Sequence, residues 1–159
     1  MNTKLEIKLI STDFATELSD LLTSEVSDYL KHFIPFEFDQ VTITSVLKNS
    51  IKDKFFGLFV NNKLVGFYML RGFDQGYAVP SYGVYISHKF SGLGLAKLTL
   101  HHALSICRIN KIEELMLKVH PDNIFAKKMY EDFGFNCTGK DKKNDNLIYK
   151  IKIGNLVSK

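Results

Sequence analysis

Residues 82–96 limit what this chain can fold into more than any other stretch. Tyr82, Val84, Tyr85 and Ile86 are aromatic or β-branched, the side chains that suit a pleated, half-buried strand. A short polar turn follows, then Gly92 and Gly94, and from Ala96 the apolar residues recur at helical spacing. A strand that runs through glycines into a helix leaves main-chain N–H groups at the helix N-terminus without partners. The helix dipole points its positive end the same way. Such a corner holds a phosphate without any cationic side chain. Glycine suits it because a Cβ would keep the backbone away from the ligand. The same glycines would equally serve a tight turn.

The rest of the chain supplies the context. Leu5, Ile7 and Leu9 alternate with charged residues, as in a half-buried first strand. Ser11, Thr12 and Asp13 offer an N-cap to a helix carrying Phe14, Leu18, Leu21 and Leu22. Residues 27–40 are irregular and aromatic, with Tyr29, Phe33, Phe36 and Phe38, and Ile43, Val46, Leu47 and Ile51 mark a second helix. Residues 55–60 and 64–70 are apolar strands joined through Asn61 and Asn62, which tolerate the positive φ of a tight hairpin. In the helix after the glycines, Ala96, Leu100, Ala103 and Cys107 share one face; Lys97, His101, Ser105 and Arg108 share the other. Residues 113–120 alternate as a strand, Asp122 or Asn123 caps a further helix, and Gly134 ends it. Two strands, 135–140 and 147–153, close the chain. The order β-α-α-β-β-β-α-β-α-β-β predicts an α/β (α+β) domain, a mixed central sheet flanked by helices, with residues 1–159 as a single domain.

Two motifs within this order carry a resemblance. Ser91, Gly92, Leu93, Gly94, Leu95 and Ala96 resemble the acyl-CoA pyrophosphate loop of the GNAT acetyltransferase superfamily, although Ser91 stands where that family usually has Gln or Arg. Downstream, Asn123, Ala126, Tyr130 and the closing Gly134 and Phe135 are similar to its second signature. The resemblance covers nearly the whole chain and implies the GNAT acyl-CoA N-acyltransferase fold.

It also implies roles. Acetyl-CoA would be the co-substrate, held by Val84, Tyr85 and Ile86 along the pantetheine arm and by the amides of Gly92 to Ala96 at the pyrophosphate, with Asn123 and Tyr130 completing the contact. The strand-end amides would face the thioester oxygen, where one donor is typically worth about 10²–10³ in rate. Tyr130 would be the general acid toward sulfur, since a phenol with a reference pKa near ~10 keeps its proton at neutral pH. Asn123, Ala126 and Tyr130 share a helix face at i, i+3 and i+7. Family members often carry a glutamate on the central strand as base; here Tyr82 and Pro80 occupy that side, and Lys118 holds another frequently acidic position on the next strand. Deprotonation through ordered water, with help from Tyr82 or His120, is the expectation, histidine being the side chain that titrates nearest neutrality. Phe33, Phe36, Glu37, Arg71 and Lys118 would wall the acceptor, and cations beside aromatic faces suit a nucleotide-linked amino sugar. A protein N-terminus or lysine is the alternative acceptor, and a non-catalytic CoA-binding module the alternative role.

Composition bounds the partners. A net charge of +4, from 21 basic against 17 acidic residues, is too mild for nucleic acid and suits an anionic ligand. No run reaches the roughly 18 apolar residues of a membrane span. The first residues alternate like a strand rather than forming a signal core, and Cys107 and Cys137 have no metal or redox spacing. A cytoplasmic enzyme without a metal is expected. Strand edges near the C-terminus must be covered, which makes a homodimer an expectation too.

Overall fold

Apolar alternation at β spacing gathers seven strands into one sheet, as a computed structural model describing residues 1–25 and 30–154 shows. The elements are β1 (Leu5–Leu9), α1 (Ala15–Ser24), α2 (Gln40–Asn49), β2 (Lys54–Val60), β3 (Lys63–Arg71), β4 (Ser81–Ile86), α3 (Leu95–Ile109), β5 (Glu114–Val119), α4 (Ile124–Phe133), β6 (Asn136–Lys140) and β7 (Leu147–Lys152). The sheet order is β1-β2-β3-β4-β5-β7-β6. Every neighbouring pair is antiparallel except β4 with β5. The mixed architecture expected from the element order is therefore present. Tyr29, part of the aromatic stretch, lies outside the described residues.

The β2–β3 hairpin turns on Asn61 and Asn62, with φ of 49° and 67°, as the asparagine pair predicts. Just after it, Val65 is an extra residue: Phe59 pairs with Leu64, but Leu58 pairs with Gly66. This bulge turns the Val65 carbonyl to accept the Ser87 amide at 2.8 Å, just beyond the end of β4. Glycine is needed beside it, because a Cβ on Gly66 would lie 2.6 Å from the Tyr85 carbonyl oxygen.

The two faces of the sheet bury separate cores. Beneath α1 and α2 lie Leu18, Leu22, Ile43, Phe55, Phe59, Phe67, Met69 and Tyr85. Beneath α3 and α4 lie Phe56, Tyr68, Leu70, Tyr82, Leu100, Leu115, Leu117, Tyr130 and Tyr149. Two expectations need correction. Leu5 and Leu9 are exposed, because β1 is an edge strand beyond the cover of the helices. Ile51 lies outside α2 and is exposed; α2 ends at Asn49, and the chain there is gathered by Asp74, whose carboxylate accepts the amides of Ile51, Lys52 and Asp53.

Candidate functional site

The opening between β4 and β5 is the feature on which the site is built. Their parallel pairing covers only two rungs, Ser81 with Met116 and Tyr82 with Leu117. The Met116 amide donates to the Pro80 carbonyl at 3.0 Å, so even-numbered residues of β4 direct their main chain toward β5. The Ser87 amide points the other way, to β3. By this alternation Val84 turns its N–H and C=O into the opening, one rung past the last pair. Tyr85, expected along the pantetheine arm, turns its main chain toward Phe67 of β3 and its ring into the core beneath α1 and α2.

The chain leaves β4 through a tight turn at His88 to Phe90 and enters α3 through the glycines. Gly92 and Gly94 have φ of 76° and 81°, the left-handed region in which glycine alone is unstrained. A Cβ at either would meet nothing within 4 Å, so the space in front of this loop is open. Among the described residues, the amides of Gly92, Leu93, Gly94, Leu95 and Ala96 donate to no protein acceptor; the first helical bond runs from Leu98 to Gly94. Gly94 is the N-cap and offers no side-chain acceptor either. Five donors therefore converge at the positive end of a 15-residue helix. Ser91 adds nothing by its side chain, because its hydroxyl donates to the His88 carbonyl at 2.8 Å.

On the same face of the sheet as α3 lies α4. Asn123 caps it, its side-chain oxygen accepting the Ala126 amide at 3.2 Å, and Gly134 closes it in the left-handed region. Tyr130 is 7% exposed and packs edge-on against Phe135, within the cluster that includes Tyr82, Leu117 and Val119 beside the opening. Burial alone pushes its phenol well above the ordinary range, and among the described residues its hydroxyl makes no hydrogen bond. Tyr82 sits nearby but is differently committed. Thr99 donates its own proton to the Ala96 carbonyl at 2.8 Å, so Tyr82 donates to Thr99 Oγ1 at 3.1 Å. Burial raises its phenol further, with the Tyr130 and Tyr68 phenols adding to the effect. A phenol so held cannot accept a proton at neutral pH, which removes Tyr82 as a helper base.

His120 follows β5, and its Nδ1 accepts the Asp122 amide at 3.1 Å. That uses the one lone pair of a neutral imidazole, leaving Nε2 as a donor. His120 is therefore no base in this arrangement either. Lys118 is committed to Asp141 at 2.7 Å. Arg71 lies over the rings of Phe36 and Phe55, 5.6 and 5.9 Å from their centroids. Phe33 and Phe36 are half-buried and pack on the core through Phe38, Phe55, Phe67 and Tyr85, whereas Glu37 is exposed. Of the residues expected to wall the acceptor, Phe36 and Arg71 are therefore in contact with each other, and Lys118 is not a free cation.

Two residues of the site escape a reading of the sequence. Glu25, just after α1, accepts the His88 amide at 3.0 Å and so braces the turn before the glycines. Burial opposes its ionisation, but hydrogen bonds from Ser87, Tyr85 and His88 outweigh that and lower its pKa. His32 stacks on His120, ring centroids 3.8 Å apart and planes 19° from parallel. Neither residue belongs to a local motif, and their partners are more than sixty residues away along the chain.

A family model described as acetyltransferase (GNAT) family matches residues 18–135, well over half of the chain. Solved structures sharing the fold include a PaiA N-acetyltransferase from Thermoplasma acidophilum in complex with coenzyme A. It is 19% identical with a TM-score of 0.76, and the match covers 94% of this chain and 99% of that one. A GNAT-family acetyltransferase from Streptococcus pneumoniae is 20% identical at a TM-score of 0.75, over 95% and 100% of the two chains. The ribosomal-protein-S18-alanine N-acetyltransferase of Escherichia coli is 16% identical at 0.72, over 95% of each. No curated protein matches the chain. At such identities the structures speak for the fold, and the family model speaks for descent: this chain belongs to the GNAT acetyltransferase family.

Proposed function

We propose that the protein transfers the acetyl group of acetyl-CoA to a primary amine of a small molecule. The observation that carries this reading is the run of five unpartnered amides at the start of α3, continuous with the Val84 main chain that opens beside it. A pyrophosphate suits the amides, and an amide-bearing pantetheine arm suits the strand edge, which lacks its next rung.

The chemistry follows from that placement. The neutral amine attacks the thioester carbon, an N–C bond forms, and negative charge collects on the carbonyl oxygen near the β4 main chain. When the tetrahedral species collapses, the C–S bond breaks and the sulfur takes a proton from the Tyr130 hydroxyl. The proton lost from the acceptor nitrogen restores that hydroxyl, so the phenol is unchanged after each cycle. General acids of this kind contribute roughly 10²–10⁴ in rate. Asn123 holds the N-terminus of α4, and with it the height of Tyr130.

For the acceptor, a nucleotide-linked amino sugar remains the favoured class. Its support is Arg71, which rests on the Phe36 and Phe55 faces and has no carboxylate partner among the described residues. A guanidinium seated on aromatic faces keeps its N–H groups directed outward for a phosphate. Since Lys118 is neutralised by Asp141, Arg71 alone is assigned to the phosphates.

Thermal shift with acetyl-CoA, followed by thiol release against a panel of amines, tests the reading. Stabilisation together with thiol release on a nucleotide-linked amino sugar is the expected result. Release only with peptides would assign the acceptor to a protein terminus or lysine, and stabilisation without release on any amine would make the protein a binding module.

A further inference from the structure

His32 and His120 meet from different parts of the fold, one in the segment between α1 and α2, the other one residue past β5. Their stack lies at the mouth of the β4–β5 opening, because the last pair is Tyr82 with Leu117 and His120 follows only three residues later. The two rings are not equivalent. Nδ1 of His120 is occupied by the Asp122 amide, while the Asp122 carboxylate, at 3.9 Å, is too distant for a hydrogen bond. His120 can therefore only donate, through Nε2. The His32 ring is exposed, and among the described residues neither of its nitrogens makes a hydrogen bond.

We propose that His32 is the catalytic base of the acetyl transfer, taking the proton of the acceptor ammonium while the stacked His120 positions its ring at the cleft mouth. The assignment rests on the acetyl-transfer reading above. It supplies the group that Tyr82, Lys118 and His120 leave missing. The surroundings favour a ring that is neutral when the substrate arrives. Loss of some hydration against the stacked ring lowers the pKa of His32, the charge of Lys31 lowers it further, and Asp122 opposes them. The proton taken from the ammonium goes to an exposed ring and on to solvent, leaving the nitrogen lone pair free to form the N–C bond. The second nitrogen proton leaves after attack and is the one that, by way of Tyr130, ends on sulfur.

The test is the pH dependence of kcat/KM in the full chain, with an amine the wild type accepts. Wild type should show an acidic limb below the ordinary histidine value of 6.5. His32→Asn should lower kcat/KM at neutral pH at least tenfold and abolish that limb, with acetyl-CoA affinity by calorimetry unchanged. His32→Ala should regain activity with added imidazole, and His120→Asn, which removes the ring that His32 stacks on, should lower kcat/KM while keeping the limb. A wild-type profile in His32→Asn, at intact acetyl-CoA affinity, overturns the base while leaving acetyl transfer standing. Acetyl-CoA binding without turnover of any amine by the wild type overturns both.

Discussion

Tyr130 and Tyr82 are both buried phenols on the same face of the sheet, and what separates them is a single partner. Tyr82 spends its proton on Thr99, whereas Tyr130 keeps its own. We expect Tyr130→Phe to lower turnover by at least about tenfold, toward the range of a lost general acid, with acetyl-CoA affinity nearly intact. Steady-state kinetics beside calorimetry would show it; equal turnover would remove the acid. Because burial raises this phenol, the protonated form persists through the physiological range. Ionisation of Tyr130 should therefore cost no activity below about pH 10, its ordinary value. Glu25 is the counterpart on the other face. Its carboxyl is depressed in the fold, so its bracing is present above the ordinary carboxylate range and fades as the pH falls through the lowered value. Removing the acceptor in Glu25→Ala should raise the KM for acetyl-CoA roughly tenfold, about 1.4 kcal/mol, while kcat changes little. At this scale the sequence was legible where a motif sets local geometry, as for the Asn123 cap and the Gly134 stop of α4. It was silent where the partner is remote, as for Glu25 and His32, and it could not tell a free phenol from one bound to Thr99.

Among the elements, α3 carries the most information per residue. Its buried face, including Leu100, Ala103 and Cys107, follows the helical period read from the sequence, and its N-terminus lies where the glycines put it. Gly94 is the sharpest probe. Its left-handed backbone would cost an alanine roughly 1–2 kcal/mol, and the methyl would project into the open space before the loop. Gly94→Ala should lower thermal stability modestly but weaken acetyl-CoA binding at least about tenfold, since five amides lose their alignment together. A binding loss no larger than the stability loss would mean that these amides do not hold the nucleotide. Alternation was a poorer guide to β1, because period-two spacing tells which residues share a face but not whether a helix reaches far enough to cover it. Leu5 and Leu9 show this, lying on the edge strand with only Ile7 packed between them. The bulge at Val65 also left no mark in the sequence, since an extra residue in an apolar run looks like any other.

At the level of the whole molecule, the two cores beneath opposite faces of the sheet report on integrity separately from chemistry. Cys107 is sealed beneath α3, its thiol pushed up to about 11 chiefly by burial, while Cys137 is exposed on β6. Alkylation at mildly alkaline pH should label one thiol in the folded protein and both after unfolding, which gives a folding control for every variant above. Rapid labelling of both in the native state would contradict the packing of that core.

The short parallel seam has a mechanical consequence. With only two rungs joining β4 to β5, the sheet consists of a four-stranded and a three-stranded plate stitched along a brief line. A bound thioester lying in the notch would act as an eighth strand, riveting the plates through main-chain bonds to Val84. The unliganded protein should then breathe along that line, with amide exchange fastest in the residues flanking it, and acetyl-CoA should slow exchange on both plates at once.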